Sequence, residues 1–391
     1  MKKILLFRFL TFFIVFSETL FAQDYFSKRY DFNGNSGSDY SQDIIEEIDG
    51  FTLLFESQNP YLIYRLIAFQ NIDLSGNTIG TPVIYYDSNC NIQTGYPGSF
   101  IKLSGTDHYA CLATKMQWVP EGRYDRGWLM ILDDDLDTLW TKTYTDDPPH
   151  DTSTMFWNFR QLVDGGYIVV GLLNPVSGTG LFRIGMFRLD SIGGLIWKQK
   201  YGTGNADIQP FDVSPTSDCG FIISGMNSLV NGPGTQNDDP IIIKTDSIGN
   251  QDWILNLGNP NCHESYAMVD QAKDGNIQVG TIYSDTCWSD NVWKGRINFL
   301  KIRNDKSIVW DKKYGLQKIW INTLKVRVLP NSDVIGTGWY WDYSGGTGPR
   351  VVSWILRTDS AGNEKWYREY ILLTGNKSHN MLCNVIPTSD N

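Results

Sequence analysis

The chain has 391 residues, with 33 Lys or Arg against 43 Asp or Glu, so its formal net charge at pH 7 is −10. An acidic chain without a cluster of basic residues is a poor ligand for nucleic acid or anionic lipid, and neither is expected as a partner. Aromatic residues make up 14% of the chain and charged residues 19%. Few apolar stretches follow the 3.6-residue period of a helix, so an all-β fold is predicted.

The N-terminus has the three-part form of a secretory signal peptide. Two lysines precede an apolar run over residues 4–20, and Ala22 follows soon after. This arrangement predicts that residues 1–22 are removed and that residues 23–391 form the exported chain, in the periplasm, at the cell surface or outside the cell. A membrane anchor is the alternative, but the run is short for a spanning helix, so no membrane span is expected in the mature chain.

A tryptophan recurs along the chain at an almost constant interval. Successive copies are separated by 57, 56, 57 and 56 residues, at Trp140, Trp197, Trp253, Trp310 and Trp366. Self-similarity at such a period indicates one supersecondary unit copied in tandem. Units rich in short strands are typical of propeller blades, and neighbouring copies are expected to pack through their indole rings.

Two kinds of tight turn recur within each period. An Asp-Ser-x-Gly turn precedes the tryptophan, as at Asp190–Gly193, and an Asp-Gly turn separates two apolar strands, as at Asp164–Gly166. Asp bonds its own backbone two residues further on, and Gly accepts the positive φ that reverses the chain. Two tight turns in each period predict four antiparallel strands.

The register of these motifs predicts seven units. Their expected bounds are 26–79, 80–139, 140–196, 197–252, 253–309, 310–365 and 366–391. The seventh unit stops within its motif, because residues 387–391 repeat the first part of the segment at 215–219, and it is expected to be incomplete. The predicted fold is therefore an all-β propeller of about seven four-stranded blades whose last blade is truncated.

Long loops should lie on one face of such a fold, because tight turns occupy the other, and function usually resides in the long loops. The candidate ligand-binding residues in these loops are Asp146, Asp147, Asp238, Asp239, Trp288, Asp290, Trp293, Trp339 and Trp341. Flat rings beside carboxylates stack on sugars and bond their hydroxyls; packed or solvated loop residues are the alternative. Carboxylates also suit Ca²⁺, but no EF-hand spacing supports such a site, so no cofactor is predicted.

Cysteine and histidine give weaker signals. Cys262 and Cys287 both fall in loops on the same rim of unit five, and export permits oxidation, so they form a disulfide candidate; free buried thiols are the alternative. The loop histidines His150, His263 and His379 belong to units that are not neighbours, so no metal site is predicted.

The alternation of segments such as Asp164–Gly171 and Leu189–Gly202 resembles the exported β-propeller repeat proteins of Gram-negative bacteria that often end in a type IX secretion sorting domain. This resemblance implies a propeller fold and export, and it implies no particular activity. A weaker resemblance is to quinoprotein propellers, whose Asp, Gly, Trp docking motif shares the spacing from Gly193 to Trp197.

The sequence contains no nucleophile elbow, HExxH motif or phosphate-binding loop. The leading interpretation is a secreted or cell-surface propeller that acts as a noncatalytic binding scaffold for a glycan or protein ligand. One alternative is a carbohydrate-active enzyme with its site in the central funnel on the long-loop face, which requires two acidic side chains to converge there. A structural or adhesion module is the other alternative.

Overall fold

The computed structural model describes residues 38–58, 65–120, 122–145, 152–175, 181–202, 204–230, 236–258, 262, 264, 266–286, 294–344, 350–371 and 383–388. These residues form strands, turns and irregular segments, and none of them is helical. Accordingly, none of the described segments is a helix that could cross a membrane. The prediction of an all-β fold is confirmed.

The first four sheets follow one another along the chain, and all their strand pairs are antiparallel. The first sheet contains β1 (Ser38–Glu47), β2 (Gly50–Gln58), β3 (Arg65–Asp73) and β4 (Thr78–Tyr85). In the second sheet, β5 (Asn91–Thr94) and β6 (Phe100–Lys102) both pair with β7 (Tyr109–Val119), which is followed by β8 (Gly122–Leu132) and β9 (Thr138–Tyr144).

The third sheet contains β10 (Thr152–Gln161), β11 (Tyr167–Pro175), β12 (Arg183–Leu189) and β13 (Leu195–Tyr201). The fourth sheet contains β14 (Asp207–Pro215), β15 (Phe221–Val230), β16 (Gln236–Thr245) and β17 (Gln251–Asn256). In both sheets the strand order equals the chain order, so tight turns and longer connections alternate between the two ends of the strands.

The fifth and sixth four-stranded units share one sheet of seven strands. It contains β18 (Met268–Gln271), β19 (Ile277–Thr286), β20 (Lys294–Ile302), β21 (Ile308–Val328), β22 (Val334–Asp342), β23 (Arg350–Thr358) and β24 (Glu364–Tyr370). The first part of β21 pairs with β20 and the last part pairs with β22. One long strand is therefore both the last strand of the fifth unit and the first strand of the sixth.

Six successive antiparallel units are thus present in the described residues, as predicted for a β-propeller. Residues 383–388, which fall within the predicted seventh unit, form no strand, but Asn384 contacts both Asp43 in β1 and Arg327 in β21. Each recurring tryptophan lies in the last strand of its structural unit, whereas each unit predicted from the sequence was taken to begin at the tryptophan. The sheets are therefore offset by one strand from the sequence units.

Three copies of the tryptophan motif pack on the tight turn of the next unit. Trp140 in β9 lies against Gly193, where an added Cβ atom would be 2.8 Å from a ring carbon. The hydroxyl of Tyr144 donates a hydrogen bond to the carbonyl of Gly193 at 2.8 Å. The same arrangement recurs at Trp197, Tyr201 and Gly249 and at Trp310, Tyr314 and Gly362. At these positions neighbouring units pack through their indole rings, as expected, and each ring lies on the turn of the next unit.

Substitution of Gly193 tests this contact. Gly193 and Gly105 have φ values of 74° and 77°, but an added Cβ at Gly105 meets nothing within 4 Å. Gly105→Ala carries only the cost of the left-handed backbone, about 1–2 kcal/mol. Gly193→Ala should lose a further ~1–3 kcal/mol, because the methyl group displaces the indole and phenol rings. Equal free energies of unfolding for the two variants in urea titrations would show that the rings do not hold this turn.

Candidate functional site

In three blades the first strand, which is the innermost strand of its sheet, contains a bulge that leaves one residue without a partner in the strand pairing. These residues are Gln42 in β1, Trp157 in β10 and Phe211 in β14. A bulge bends its strand and re-aims the side chain of the extra residue, and bulges are frequent beside active sites. Here they bring side chains from three different blades towards one region at the centre.

A cavity of about 250 Å³ lies where the first three blades meet. Its lining consists of Gln42, Gln93, Thr94, Gly95, Tyr96, Thr114, Met155, Phe156 and Trp157. The amides of Gln42 and Gln93 are half-buried, and neither has a hydrogen-bond partner within the part of the chain that the structure describes. Amides of this kind offer both donors and acceptors to a polar ligand.

Aromatic rings form the wall of the cavity towards the centre. The ring of Tyr96 lies 5.0 Å from that of Trp157 and 5.1 Å from that of Phe211, and Phe211 lies 4.6 Å from Tyr266. Burial raises the pKa of Tyr96 well above its ordinary value, and it also raises the pKa of Tyr266, whose hydroxyl is hydrogen-bonded to that of Tyr96. Both hydroxyls therefore keep their protons at neutral pH.

Glu56 lies directly behind the lining. Its carboxylate accepts hydrogen bonds from the backbone N–H and the hydroxyl of Thr94, at 3.3 and 3.4 Å, and it lies 3.0 Å from the guanidinium of Arg65. Burial raises the pKa of Glu56, and the positive charge of Arg65 opposes this effect. A raised pKa shifts a carboxyl group towards the protonated form, which is the form that a general acid requires.

Asp125 in β8 is a second buried carboxylate near the cavity. It accepts hydrogen bonds from Arg123 at 2.9 Å to each of its oxygens, and its backbone N–H donates to the hydroxyl of Ser153. The guanidinium of Arg123 lies 3.0 Å from the sulfur of Met155, which lines the cavity. Two acidic side chains therefore flank the cavity, and each is paired with an arginine.

A belt of buried and half-buried polar side chains connects the blades, and its members Asp43 and Asn158 directly follow the lining residues Gln42 and Trp157. The side chains of the belt residues Asp43, Asn158, Asp212, Asp270 and Asn384 each accept a hydrogen bond from the N–H of the next residue. Asp43 also accepts hydrogen bonds from the N–H groups of Gly98 and Phe100 in the second blade, at 2.7 and 3.0 Å. The belt thus satisfies buried backbone groups and joins different blades.

Lys325 of β21 closes the belt across the centre. Its ammonium group donates to Asp212 in the fourth blade at 3.0 Å and to the carbonyl of Pro97 in the second blade at 2.9 Å. Arg160 of the third blade donates to the other oxygen of Asp212 at 2.7 Å. Burial lowers the pKa of Lys325 to about 8, although the charge of Asp212 opposes the shift.

The structure places the sequence-predicted residues away from this cavity. Asp238 and Asp239 are buried near the start of β16, where the hydroxyl of Ser228 donates to Asp238. Trp339 and Trp341 lie in β22 of the sixth blade with their rings edge to face at 6.3 Å. None of these four residues lines the cavity. The other candidates, Asp146, Asp147, Trp288, Asp290 and Trp293, lie outside the described residues.

The cysteines and histidines are described only in part. Cys262 is disulfide-bonded, whereas its predicted partner Cys287 lies outside the described residues. Cys90, Cys111 and Cys219 are free thiols. His150, His263 and His379 also lie outside the described residues. In the described part of the chain, no group of three or more His, Cys, Asp or Glu is suited to a metal ion.

Sequence reasoning missed the cavity residues because it searched the long loops. Gln42 and Trp157 lie within strands, each directly before a belt residue. The belt residues themselves repeat in the sequence: Asp212 follows Asn158 by 54 residues, and Asp270 follows Asp212 by 58. This spacing is close to that of the tryptophans. It could have located the inner strands in the sequence and, with them, the residues that precede each belt position.

No protein-family model matches the sequence, and no curated protein matches it. Among solved structures, a protein of unknown function from Dyadobacter fermentans is similar over 77% of this chain and 93% of that one, at 8% identity and a TM-score of 0.52. An α-L-arabinofuranosidase from Fusarium graminearum is similar over 81% and 92%, at 11% identity and a TM-score of 0.50. A sialidase from Streptococcus pneumoniae is similar over 77% and 64%, at 9% identity and a TM-score of 0.46.

These comparisons correct the functional interpretation of the sequence. The leading prediction of a noncatalytic binding scaffold is wrong, because the similar structure with a TM-score of 0.50 is that of a carbohydrate-active enzyme. The α-L-arabinofuranosidase is matched over nearly its whole length, so the likeness concerns its entire fold. The alternative interpretation, a carbohydrate-active enzyme, agrees better with these neighbours.

The buried position of Lys325 predicts a specific pH dependence of stability. Its pKa is about 8 in the folded chain and 10.5 ordinarily, so between these values the unfolded chain binds more protons and folding becomes more favourable as the pH rises. Over this window the free energy of unfolding should gain on the order of 3 kcal/mol relative to Lys325→Met, in which this rise is absent. Denaturant titrations at pH 7.5, 8.5 and 9.5 measure the difference, with Lys294→Met on the surface as the control. A difference between wild type and Lys325→Met that stays constant with pH would contradict the assigned pKa.

Proposed function

We propose that the chain is an exported carbohydrate-active enzyme that cleaves a glycosidic bond in the cavity between the first three blades. One observation carries this proposal. Aromatic rings and two glutamine amides from three blades line one cavity, and Glu56, a carboxyl group with a raised pKa, is hydrogen-bonded to Thr94 of that lining. The likeness of the fold to an α-L-arabinofuranosidase supports the same reaction class.

The aromatic and amide side chains suit the recognition of a sugar. Trp157 and Tyr96 are half-buried and present ring surface to the cavity, and the apolar face of a sugar packs on such rings. Gln42 and Gln93 supply donors and acceptors for the hydroxyl groups. In this proposal the four side chains bind and orient the sugar without taking part in proton transfer.

The carboxyl groups suit the reaction itself. Glycoside cleavage uses one carboxylic acid that protonates the leaving oxygen and one carboxylate that acts as nucleophile or activates water. We assign the acid to Glu56, because burial raises its pKa and Thr94 links it to the lining. Asp125 is the candidate for the second group, because Arg123 connects it to Met155.

Glu56→Gln tests the assignment of the acid. The amide keeps the shape of the side chain but cannot protonate a leaving group, so kcat on alkyl glycosides should fall by about 10²–10⁴-fold. Turnover is measured on a panel of neutral and acidic glycosides, and thermal unfolding establishes that the variant is folded. The control is Glu364→Gln, which makes the same change on an exposed position of β24. Either a folded wild-type chain without turnover on the panel or a Glu56→Gln variant with wild-type kcat would refute the assignment.

Export is tested separately. Expression of the full chain in a Gram-negative host should give a mature protein that begins at Gln23, because the signal peptidase cleaves after Ala22. Mass spectrometry of the periplasmic and secreted fractions identifies the N-terminus. Ala22→Arg should block processing, since the peptidase requires a small residue at that position. Recovery of unprocessed wild-type chain in the membrane fraction would instead favour an anchor.

A further inference from the structure

The lining of the cavity carries no ionisable acid or base other than tyrosine. Its polar groups are two glutamine amides, two threonine hydroxyls and the hydroxyl of Tyr96, and the remaining contacts come from apolar side chains, an indole and backbone. The hydroxyl of Thr114 is engaged with the backbone of Phe156 at 2.9 Å. The surfaces that a ligand meets are therefore uncharged hydrogen-bonding groups and aromatic rings.

Three basic residues near the lining have a carboxyl partner: Arg65 with Glu56 at 3.0 Å, Lys115 with Asp87 at 3.3 Å and Arg123 with Asp125 at 2.9 Å. The lining itself contains no Lys or Arg, so a ligand carboxylate in the cavity would lose water without contacting a cation of the lining.

The size of the cavity limits the ligand as well. Its volume of about 250 Å³ lies below the roughly 300–1,000 Å³ of sites that enclose drug-sized ligands. The rings of Tyr96 and Trp157, which lie 5.0 Å apart, form part of its lining. A space of this volume suits one sugar ring.

From these observations we infer that the cavity binds one neutral sugar unit and discriminates against sugars that carry a carboxylate, such as uronic and sialic acids. This inference rests on the proposed function, because it takes the ligand to be a sugar. Its physical basis is the cost of burying a carboxylate without a counter-ion, which is far larger than the cost of burying a hydroxyl that is hydrogen-bonded.

Matched pairs of sugars test the inference. Methyl glucoside and methyl glucuronide differ only at C6, as do methyl galactoside and methyl galacturonide. Titration calorimetry on the processed chain should show tighter binding of the neutral member in at least one pair, by at least about tenfold. The preference should persist between pH 6 and 8, where the sugar carboxylates are ionised.

A second experiment introduces a cation into the lining of the cavity. Gln93→Lys should strengthen binding of the acidic member of each pair and weaken or abolish the neutral preference, because the ammonium group pairs with the carboxylate. The control Gln251→Lys adds the same charge at an exposed position of β17 and should leave the preference unchanged. This comparison separates a local ion pair from an effect of net charge.

The outcomes separate the inference from the proposed function. Neutral preference without turnover on the glycoside panel supports the inference and overturns the proposed enzyme activity. Turnover with equal or tighter binding of the acidic members overturns the inference and leaves the activity standing. Absence of binding by either member of both pairs, at concentrations up to the millimolar range, overturns the inference.

Discussion

The buried belt at the centre of the propeller is the constraint on which the rest of the structure depends. The first strands β1, β10 and β14 each contain a bulge, and a bulge leaves backbone N–H groups without ladder partners. Directly after each bulge, a side-chain oxygen of Asp43, Asn158 or Asp212 accepts the next N–H. Without these acceptors the three bulges would bury unsatisfied donors, at a cost of about 1–3 kcal/mol each.

The belt also explains how charge is tolerated at the centre. Asp212 receives both Arg160 and Lys325, and Arg327 reaches Asn384, which in turn contacts Asp43. These contacts connect the third, fourth, sixth, seventh and first blades. Because the partners lie on different blades, loss of one group leaves another charge buried and unpaired, so the belt favours one relative placement of the blades.

The sequence alone was enough to predict the fold but not to identify the residues of the cavity. The spacing of Trp140 and Trp197 and the Asp-Gly turns are local signals, and both the blades and the packing role of the tryptophans follow from them. The cavity depends on contacts that no local signal carries, such as Lys325 with the carbonyl of Pro97, 228 residues away. Acidic loop residues such as Asp238 attracted attention by composition, yet the structure buries that side chain beside Ser228.

Two neighbouring positions on one strand have different roles: one stabilises the structure and the other is available for ligand binding. At Asp43, Asn158 and Asp212 the belt position carries a side-chain oxygen, because it must accept the N–H of the following residue. The bulge position directly before it is free of that demand, and it is Gln42, Trp157 or Phe211 in different blades. Substitution at the bulge changes the surface of the cavity while the hydrogen bonds that fix the blades stay intact. A repeated fold of this kind can therefore acquire a ligand site at its centre one blade at a time. The residue that changes is the bulge residue, which has no partner in the strand pairing.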